Sequence, residues 1–150
     1  MKLSPLQLKK YFLTELVVKA IPPNPAASLP AASGGMRLTT KVHHAQNKAN
    51  IRDWRVGLHI SCQPDGRGNC PYLIEMELLG FFEVSPAIKE EHIKTLVMAN
   101  APALLYGAAR EMVLQITGRG PNGPFMLPAA TFIDEVSTQN QNAAHAASVE

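Results

Sequence analysis

The stretch EEHIKTLVMANAPALLYGAAREMVLQITGRG, residues 90–120, decides the fold, because it is the only long segment of the chain with a clear helical period. Gly118 ends the predicted helix, and Pro121 prevents it from resuming. Apolar side chains recur on one side of this helix, and we expect that side to face the rest of the protein. The predicted ridge consists of Ile93, Val97, Ala101, Leu105, Met112 and Ile116, with Leu104 and Ala108 beside it.

Four segments that alternate between apolar and polar residues precede the helix, and each predicts a β-strand. They span residues 11–20, 36–44, 52–62 and 72–84. One face of the first strand is predicted to carry Phe12, Thr14, Leu16 and Val18. Short links join the last three strands, so we predict an α+β fold. A four-stranded antiparallel sheet would have one apolar face covered by the helix and one face in water.

The remaining segments are rich in residues that break regular structure. Residues 22–35 hold four prolines and two glycines, which predicts a mobile loop. Beyond the helix, residues 121–128 form an apolar, proline-bounded crossover segment, and Thr131 is placed to cap a short C-terminal helix. We assign residues 1–136 to a single domain and residues 137–150 to a disordered tail.

Composition excludes several classes of partner. The formal net charge is only +2, and the basic residues are spread along the chain, so no nucleic-acid partner is expected. The apolar runs are too short to span a bilayer, and the N-terminal residues lack an apolar signal core. We therefore expect a cytoplasmic protein that does not insert into membranes.

No group of residues predicts catalysis or metal binding. Cys62 and Cys70 supply two thiols where a structural zinc site needs four ligands, and in a reducing cytosol we expect them to be inert. His43 and His44 are neighbours on one strand, so their side chains point to opposite faces and cannot chelate together. The predictions are no enzyme activity, no catalytic residue, no cofactor and no metal.

The order of elements and several short strings resemble the SecB family of export chaperones. The match covers about residues 10–136. The similar strand sequences are residues 11–20, 72–76 and 80–82. The similar helix sequences are residues 100–102, 104–106 and 109–111, followed by the residues that end the helix, 118–120. Residues 125–128 of the crossover and Phe132 beyond them are also similar.

This resemblance implies a function and an assembly. A SecB-like protein holds unfolded preproteins in apolar grooves without ATP and passes them to the SecA motor. It is a homotetramer, a dimer of dimers with the long helices at the interface. The implied interface residues are Ala99, Ala103, Gly107 and Ala108. The implied client-binding groove consists of Met36, Leu38, Thr40, Val42, Phe125, Met126, Leu127 and Phe132, with Thr40 less apolar than the family usually has there.

Docking of SecA is the part of the resemblance that fits least well. Glu15, Leu73 and Glu75 match the family's docking positions on the wet face of the sheet, but Lys19 stands where the family has a second acid. The chain is also slightly basic, whereas the family is acidic. These departures leave a second hypothesis open. The protein would be a SecB-like chaperone that serves another client, such as an antitoxin, and does not bind SecA.

Two further alternatives come from other classes of protein. A small-ligand binder or isomerase would need an ionisable group on the apolar face of the sheet, where the alternation of residues places none. A purely structural oligomer would have no exposed groove.

Overall fold

The computed structural model describes residues 1–23, 25 and 35–132. Its sheet is antiparallel throughout, with the strand order β1-β4-β3-β2, and one long helix follows it. The elements are β1 (Leu6–Ala20), β2 (Met36–Gln46), β3 (Asp53–Pro64), β4 (Tyr72–Val84) and α1 (Glu90–Thr117). The predicted α+β class is confirmed. The predicted loop at 22–35, for the most part, and the predicted C-terminal helix and tail lie outside the described residues.

Strand β1 departs from the predicted alternation at two β-bulges. One lies between Leu8 and Lys10, and the other between Leu13 and Glu15. Because each bulge inserts an extra residue, it reverses which side chains face the helix. The predicted placement of Phe12 is therefore wrong. Phe12 lies opposite Leu79 on the face away from the helix, with its ring edge-on to that of Phe81 at 6.1 Å.

The core lies between helix α1 and the sheet. Alternate residues of β4 are buried from Tyr72 to Val84, as the sequence pattern predicts. On the helix, residues at successive steps of four are buried. They are Ile93, Val97, Ala101, Leu105, Ala109, Val113 and Thr117.

The predicted ridge is wrong over the last part of the helix. Met112 is only half-buried and Ile116 is 40% exposed, whereas Ala109 and Val113 are buried. Because one turn has 3.6 residues, a row of residues four apart moves gradually around the helix and does not run parallel to its axis. The buried row continues from Leu105 through the small Ala109 and ends at the polar Thr117, neither of which gives a strong apolar signal.

Both cysteines are buried and free. The Cys62 thiol lies 3.5 Å from the sulfur of Met36, and the Cys70 thiol donates to the backbone oxygen of Tyr72 at 3.1 Å. Burial raises the pKa of the Cys62 thiol to about 12, so it stays protonated at neutral pH. This environment agrees with the predicted inert role, because the thiolate is the reactive form.

Gly80 lets the helix approach β4 closely. A Cβ atom at Gly80 would lie 2.8 Å from Cδ2 of Leu105 and 2.8 Å from Cε2 of Phe82, and both side chains are buried. A Cβ atom at Gly107, on the exposed side of the helix, would meet nothing within 4 Å. The two glycines therefore differ in whether the single chain needs them.

We expect Gly80→Ala to destabilise the protein by about 1–3 kcal/mol through overpacking between β4 and the helix. The matched control is Gly57→Ala in β3, where an added Cβ atom would lie 3.8 Å from Cβ of His43, an ordinary van der Waals distance. Its stability should be equal or higher, because glycine weakens the interior of a strand. Urea denaturation of both variants measures these differences. An equal loss of stability in both would contradict the close approach at Gly80.

Candidate functional site

Strand β2 forms an open apolar margin on the helix side of the sheet. The helix packs against β1, β3 and β4, and β2 lies beyond its main contacts. Leu38, Thr40 and Val42 lie opposite the buried Cys62, Ile60 and Leu58 of β3, so both rows share one face. The β2 side chains on this face are only half-buried. They are Met36, Leu38, Thr40, Val42 and His44.

The crossover segment is longer than predicted, and from here on the name covers residues 121–132. It runs back along α1 in the opposite direction without regular secondary structure. Near the end of the helix, the backbone N–H of Phe125 donates to the Thr117 hydroxyl at 2.8 Å. About two turns earlier, Arg110 Nε donates to the Leu127 oxygen at 2.8 Å. Tyr106 lies a further turn back, and its hydroxyl donates to the Pro128 oxygen at 2.7 Å.

Apolar side chains of the crossover segment fill the space beneath it. Leu127 is 0% exposed and Phe132 is 3% exposed, and the Phe132 ring lies 5.7 Å from that of Tyr106. Phe125 is half-buried, with its ring 6.3 Å from that of Tyr72. Met126 points outward at 50% exposure. Of the four predicted groove residues of this segment, Met126 is therefore the one that is exposed.

The predicted groove residues fall into two groups. Met36, Leu38, Thr40 and Val42 form one continuous, partly accessible row on β2. Leu127 and Phe132 belong to the hydrophobic core, and Phe125 packs against it. Which of these residues contact a client stays a prediction, and β2 offers most of the accessible apolar surface among them.

Sequence reasoning missed three side chains that hold the crossover segment. Tyr106, Arg110 and Thr117 lie on one side of the helix, and each bonds to the segment's backbone. Burial raises the pKa of the Tyr106 phenol, so it remains a hydrogen-bond donor at neutral pH. Their spacing of four and seven residues is the signal that could have identified them, but polar residues in a helix usually predict a solvated face.

The predicted docking residues lie together on the face of the sheet that points away from the helix. Glu15 lies opposite Glu77, and Lys19 lies directly opposite Leu73. Glu75 accepts hydrogen bonds from Ser61 Oγ and Gln63 Nε2, both at 2.7 Å, and His59 Nε2 lies 3.4 Å from its other oxygen. Docking at Glu15, Leu73 and Glu75 stays a prediction.

The environment of Glu75 favours its charged form. Partial burial alone would raise the pKa of this carboxyl, but the hydrogen bonds from Ser61 and Gln63, together with His59 and Lys41, lower the pKa below its usual value. A carboxylate that accepts several hydrogen bonds is fixed in orientation as well as charge. Glu75 is thus a preorganised negative group on an otherwise mixed surface.

The exposed side of helix α1 carries the predicted interface residues. Ala103 and Gly107 are exposed, and Ala99 and Ala108 are half-buried. Leu104, between them, is 45% exposed. Small residues flanked by an exposed leucine form a smooth apolar strip on the single chain.

One expectation about the apolar face was wrong. His44 is an ionisable group on that face, half-buried with its ring 6.2 Å from that of Trp54. Burial, Lys94 and His43 lower the pKa of its imidazole, so His44 is neutral at pH 7. In the part of the chain that the structure describes, no three His, Cys, Asp or Glu side chains come together to hold a metal ion. Within the same ranges, no helix has the length and apolar character to cross a membrane.

An antiparallel sheet with a partly uncovered apolar edge strand, and a helix that holds an extended segment through its backbone, are surfaces suited to binding extended polypeptide. The comparisons with known proteins agree. Residues 3–143 match the family model described as preprotein translocase subunit SecB, and the chain belongs to this family.

Relatives carry the same family name. The protein-export protein SecB of Rhodospirillum centenum is 26% identical over 112 residues, which cover 75% of this chain and 67% of the relative. That of Nitrobacter winogradskyi is 28% identical over 120 residues, 80% of this chain and 73% of the relative. That of Acidithiobacillus ferrooxidans is 34% identical over 74 residues, 47% of this chain and about half of the relative's length (49%).

A solved structure shows the same fold. It is the SecB-like chaperone of Mycobacterium tuberculosis in complex with a peptide from the HigA1 antitoxin. The two chains superpose with a TM-score of 0.59 at 20% identity, covering 85% of this chain and 91% of the other.

The Glu75 environment predicts a specific pH dependence of stability. A lowered folded-state pKa adds stability above the unfolded-state value of about 4.3, and this stability is lost as the pH falls through the folded-state pKa. We therefore expect Glu75→Gln to be less stable than the wild type at pH 7, with the difference shrinking below about pH 4.

The control is Glu77→Gln, on the same face of β4. Glu77 lies opposite Glu15, so its neutralisation removes a like-charge pair and should leave stability at pH 7 equal or higher. Thermal unfolding of all three proteins from pH 3 to 8 measures both effects. If the difference in melting temperature between the wild type and Glu75→Gln were constant across that range, the lowered pKa of Glu75 would be contradicted.

Proposed function

We propose that this protein is an ATP-independent cytoplasmic holdase that binds unfolded proteins on the apolar margin formed by β2. One observation carries the proposal. A continuous row of side chains from Met36 to Val42 stays half-exposed beside a fully buried row of β3. An extended client that covers this row would complete the core on that side of the sheet.

The physical basis of such binding is apolar burial. Each Å² of apolar surface removed from water contributes about 25 cal/mol, whatever the client's sequence. Thr40 interrupts the row with a hydroxyl, so the contact at its centre is weaker than at Leu38 or Val42. Weak, sequence-tolerant contacts summed along an extended chain suit a chaperone with many clients. No cofactor or metal enters this mechanism.

We infer that the working form is a homotetramer, a dimer of dimers. The apolar strip around Leu104 on the exposed side of α1 supports this inference, because such a strip on a single chain favours contact with another subunit. Ala99, Ala103, Gly107 and Ala108 would let two helix backbones approach closely. Several subunits would present several β2 margins to one long client.

Delivery of clients to SecA is one proposed outcome of holding. Glu15, Leu73 and the preorganised Glu75 would form the docking site on the outer face of the sheet. Lys19, opposite Leu73, brings a positive charge into this site, and complementary charge governs on-rate and specificity at such surfaces.

The placement of Lys19 also supports a second candidate function. A SecB-like chaperone dedicated to another client, such as an antitoxin, would have no need of SecA. The Mycobacterium tuberculosis structure contains a SecB-like chaperone with an antitoxin peptide and provides the precedent.

Holding is tested by suppression of aggregation of a chemically denatured client, without nucleotide, at one tetramer per client. We expect the wild type to suppress aggregation and Leu38→Asp to lose about tenfold or more in potency, because a charge in the apolar row opposes burial. Thr39→Asp is the matched control, since Thr39 is adjacent but points to the other face. No suppression by the wild type, or equal losses in both variants, would refute the proposal.

Direct measurement of SecA binding separates the two candidate functions. A Kd tighter than about 100 μM supports delivery to SecA, and a weaker one supports the dedicated chaperone. Lys19→Glu should tighten SecA binding severalfold if docking uses this surface, because it restores an acidic site. Unchanged affinity in this variant would show that Lys19 is not at the contact.

A further inference from the structure

The crossover segment is held as a bound peptide is held. Three helix side chains bond to its main chain at the backbone of Phe125, Leu127 and Pro128. These hydrogen bonds involve main-chain atoms of the segment. The three helix side chains could therefore bond to any extended chain with the same backbone path. From Phe125 to Phe132, the buried side chains of the segment contribute apolar burial. Before them, the Asn122 amide donates to the backbone oxygens of Ile21 and Pro71 at 2.8 and 2.7 Å.

The buried side chains of this segment also follow the pattern of an extended ligand. Phe125 and Leu127 are two residues apart and point inward, whereas Met126 between them points outward at 50% exposure. An extended chain alternates its side chains in this way. Arg110 Nη2 lies 3.2 Å from the sulfur of Met126, so the outward side chain is also covered by the helix's own cation.

We propose that the surface beneath the crossover segment is itself a peptide-binding site, occupied in this structure by the chain's own residues 125–132. Its ligand is an extended segment with apolar side chains at alternate positions and no required charge. The Tyr106 hydroxyl, the Arg110 guanidinium and the Thr117 hydroxyl bind the ligand's main chain. A client with this pattern takes the place of the crossover segment.

This inference rests on the proposed function for the kind of ligand, an unfolded chain, and extends it to a second surface. Leu127 and Phe132 then act as tethered occupants of a site, not as groove residues that touch the client. The tether raises the local concentration of the occupant to the millimolar range, so a free peptide competes poorly with it. Weakening the occupant, without changing the surface, should therefore open the site.

The test uses a fluorescent peptide with the sequence of residues 121–132, PNGPFMLPAATF, and the full chain. Fluorescence anisotropy measures its affinity for the wild type, for Leu127→Ser and for the matched control Ala130→Ser, whose side chain is exposed. We expect Leu127→Ser to bind the peptide about tenfold or more tightly than the other two proteins, because its own segment has lost the fully buried anchor. Equal affinity for all three proteins would overturn the proposal.

Two further measurements make the result specific to this surface. A peptide with serine in place of the leucine should bind Leu127→Ser no better than it binds the wild type. Adding Tyr106→Phe to Leu127→Ser should weaken binding of the original peptide about fivefold, since one main-chain hydrogen bond is lost. Unchanged affinity on adding Tyr106→Phe would place the peptide elsewhere and overturn the proposal.

Circular dichroism first establishes that Leu127→Ser is folded. If it is not, Phe125→Ala weakens the half-buried end of the segment more mildly, and a smaller gain in peptide affinity, about threefold or more, is expected. The outcome is independent of client holding. If substitutions in β2 abolish the suppression of aggregation, the peptide affinities should stay the same. If the peptide test fails, the proposal that clients bind β2 still stands.

Discussion

The mismatch between one helix and a four-stranded sheet governs this protein. Strands lie about 4.8 Å apart, so the outermost strands of the sheet are about 14 Å apart, whereas a helix with its side chains is about 10–12 Å across. Helix α1 therefore covers β4 and β3 and leaves the inner faces of both edge strands, β1 and β2, only partly covered. The half-buried row on β2 follows directly from that shortfall in width.

The crossover segment adds a second layer of contacts to the helix. It returns along the helix and buries Leu127 and Phe132 completely, with its backbone held by Tyr106, Arg110 and Thr117. Towards the sheet, its main chain bonds to the Tyr72 hydroxyl of β4, which donates to the Gly123 oxygen and accepts from the Asn122 N–H. Segments of this kind sit at the low-stability end of a structure. We propose that a client with the same backbone path and apolar side chains competes for this surface, against the advantage that the tether gives the segment.

Much of this architecture could be predicted from the sequence. The fourth strand has the predicted bounds, since Tyr72 to Val84 alternate strongly and are bounded by turns, and the long helix ends where Gly118 indicates. The bulges of β1 could not be predicted, because an extra residue leaves the composition of a strand unchanged while it reverses the faces. Phe12 was misplaced for that reason.

Only part of the site could be predicted, because the rest depends on contacts between distant residues. The row from Met36 to Val42 has the period of a strand and was visible in the alternation. Burial of Leu127 depends on how the crossover segment lies against the helix, and no local period encodes that. The roles of Tyr106 and Arg110 depend on the same long-range contact, because each side chain bonds to backbone more than fifteen residues away.

The central claim is that unfolded chains bind the inner face of β2. Site-specific photo-crosslinking from position 38 and from position 39 tests it most directly, since these neighbours point to opposite faces of one strand. With a denatured client present, the account predicts crosslinks to the client from position 38 and only background from position 39. Crosslinks from position 39 with background at position 38 would contradict it.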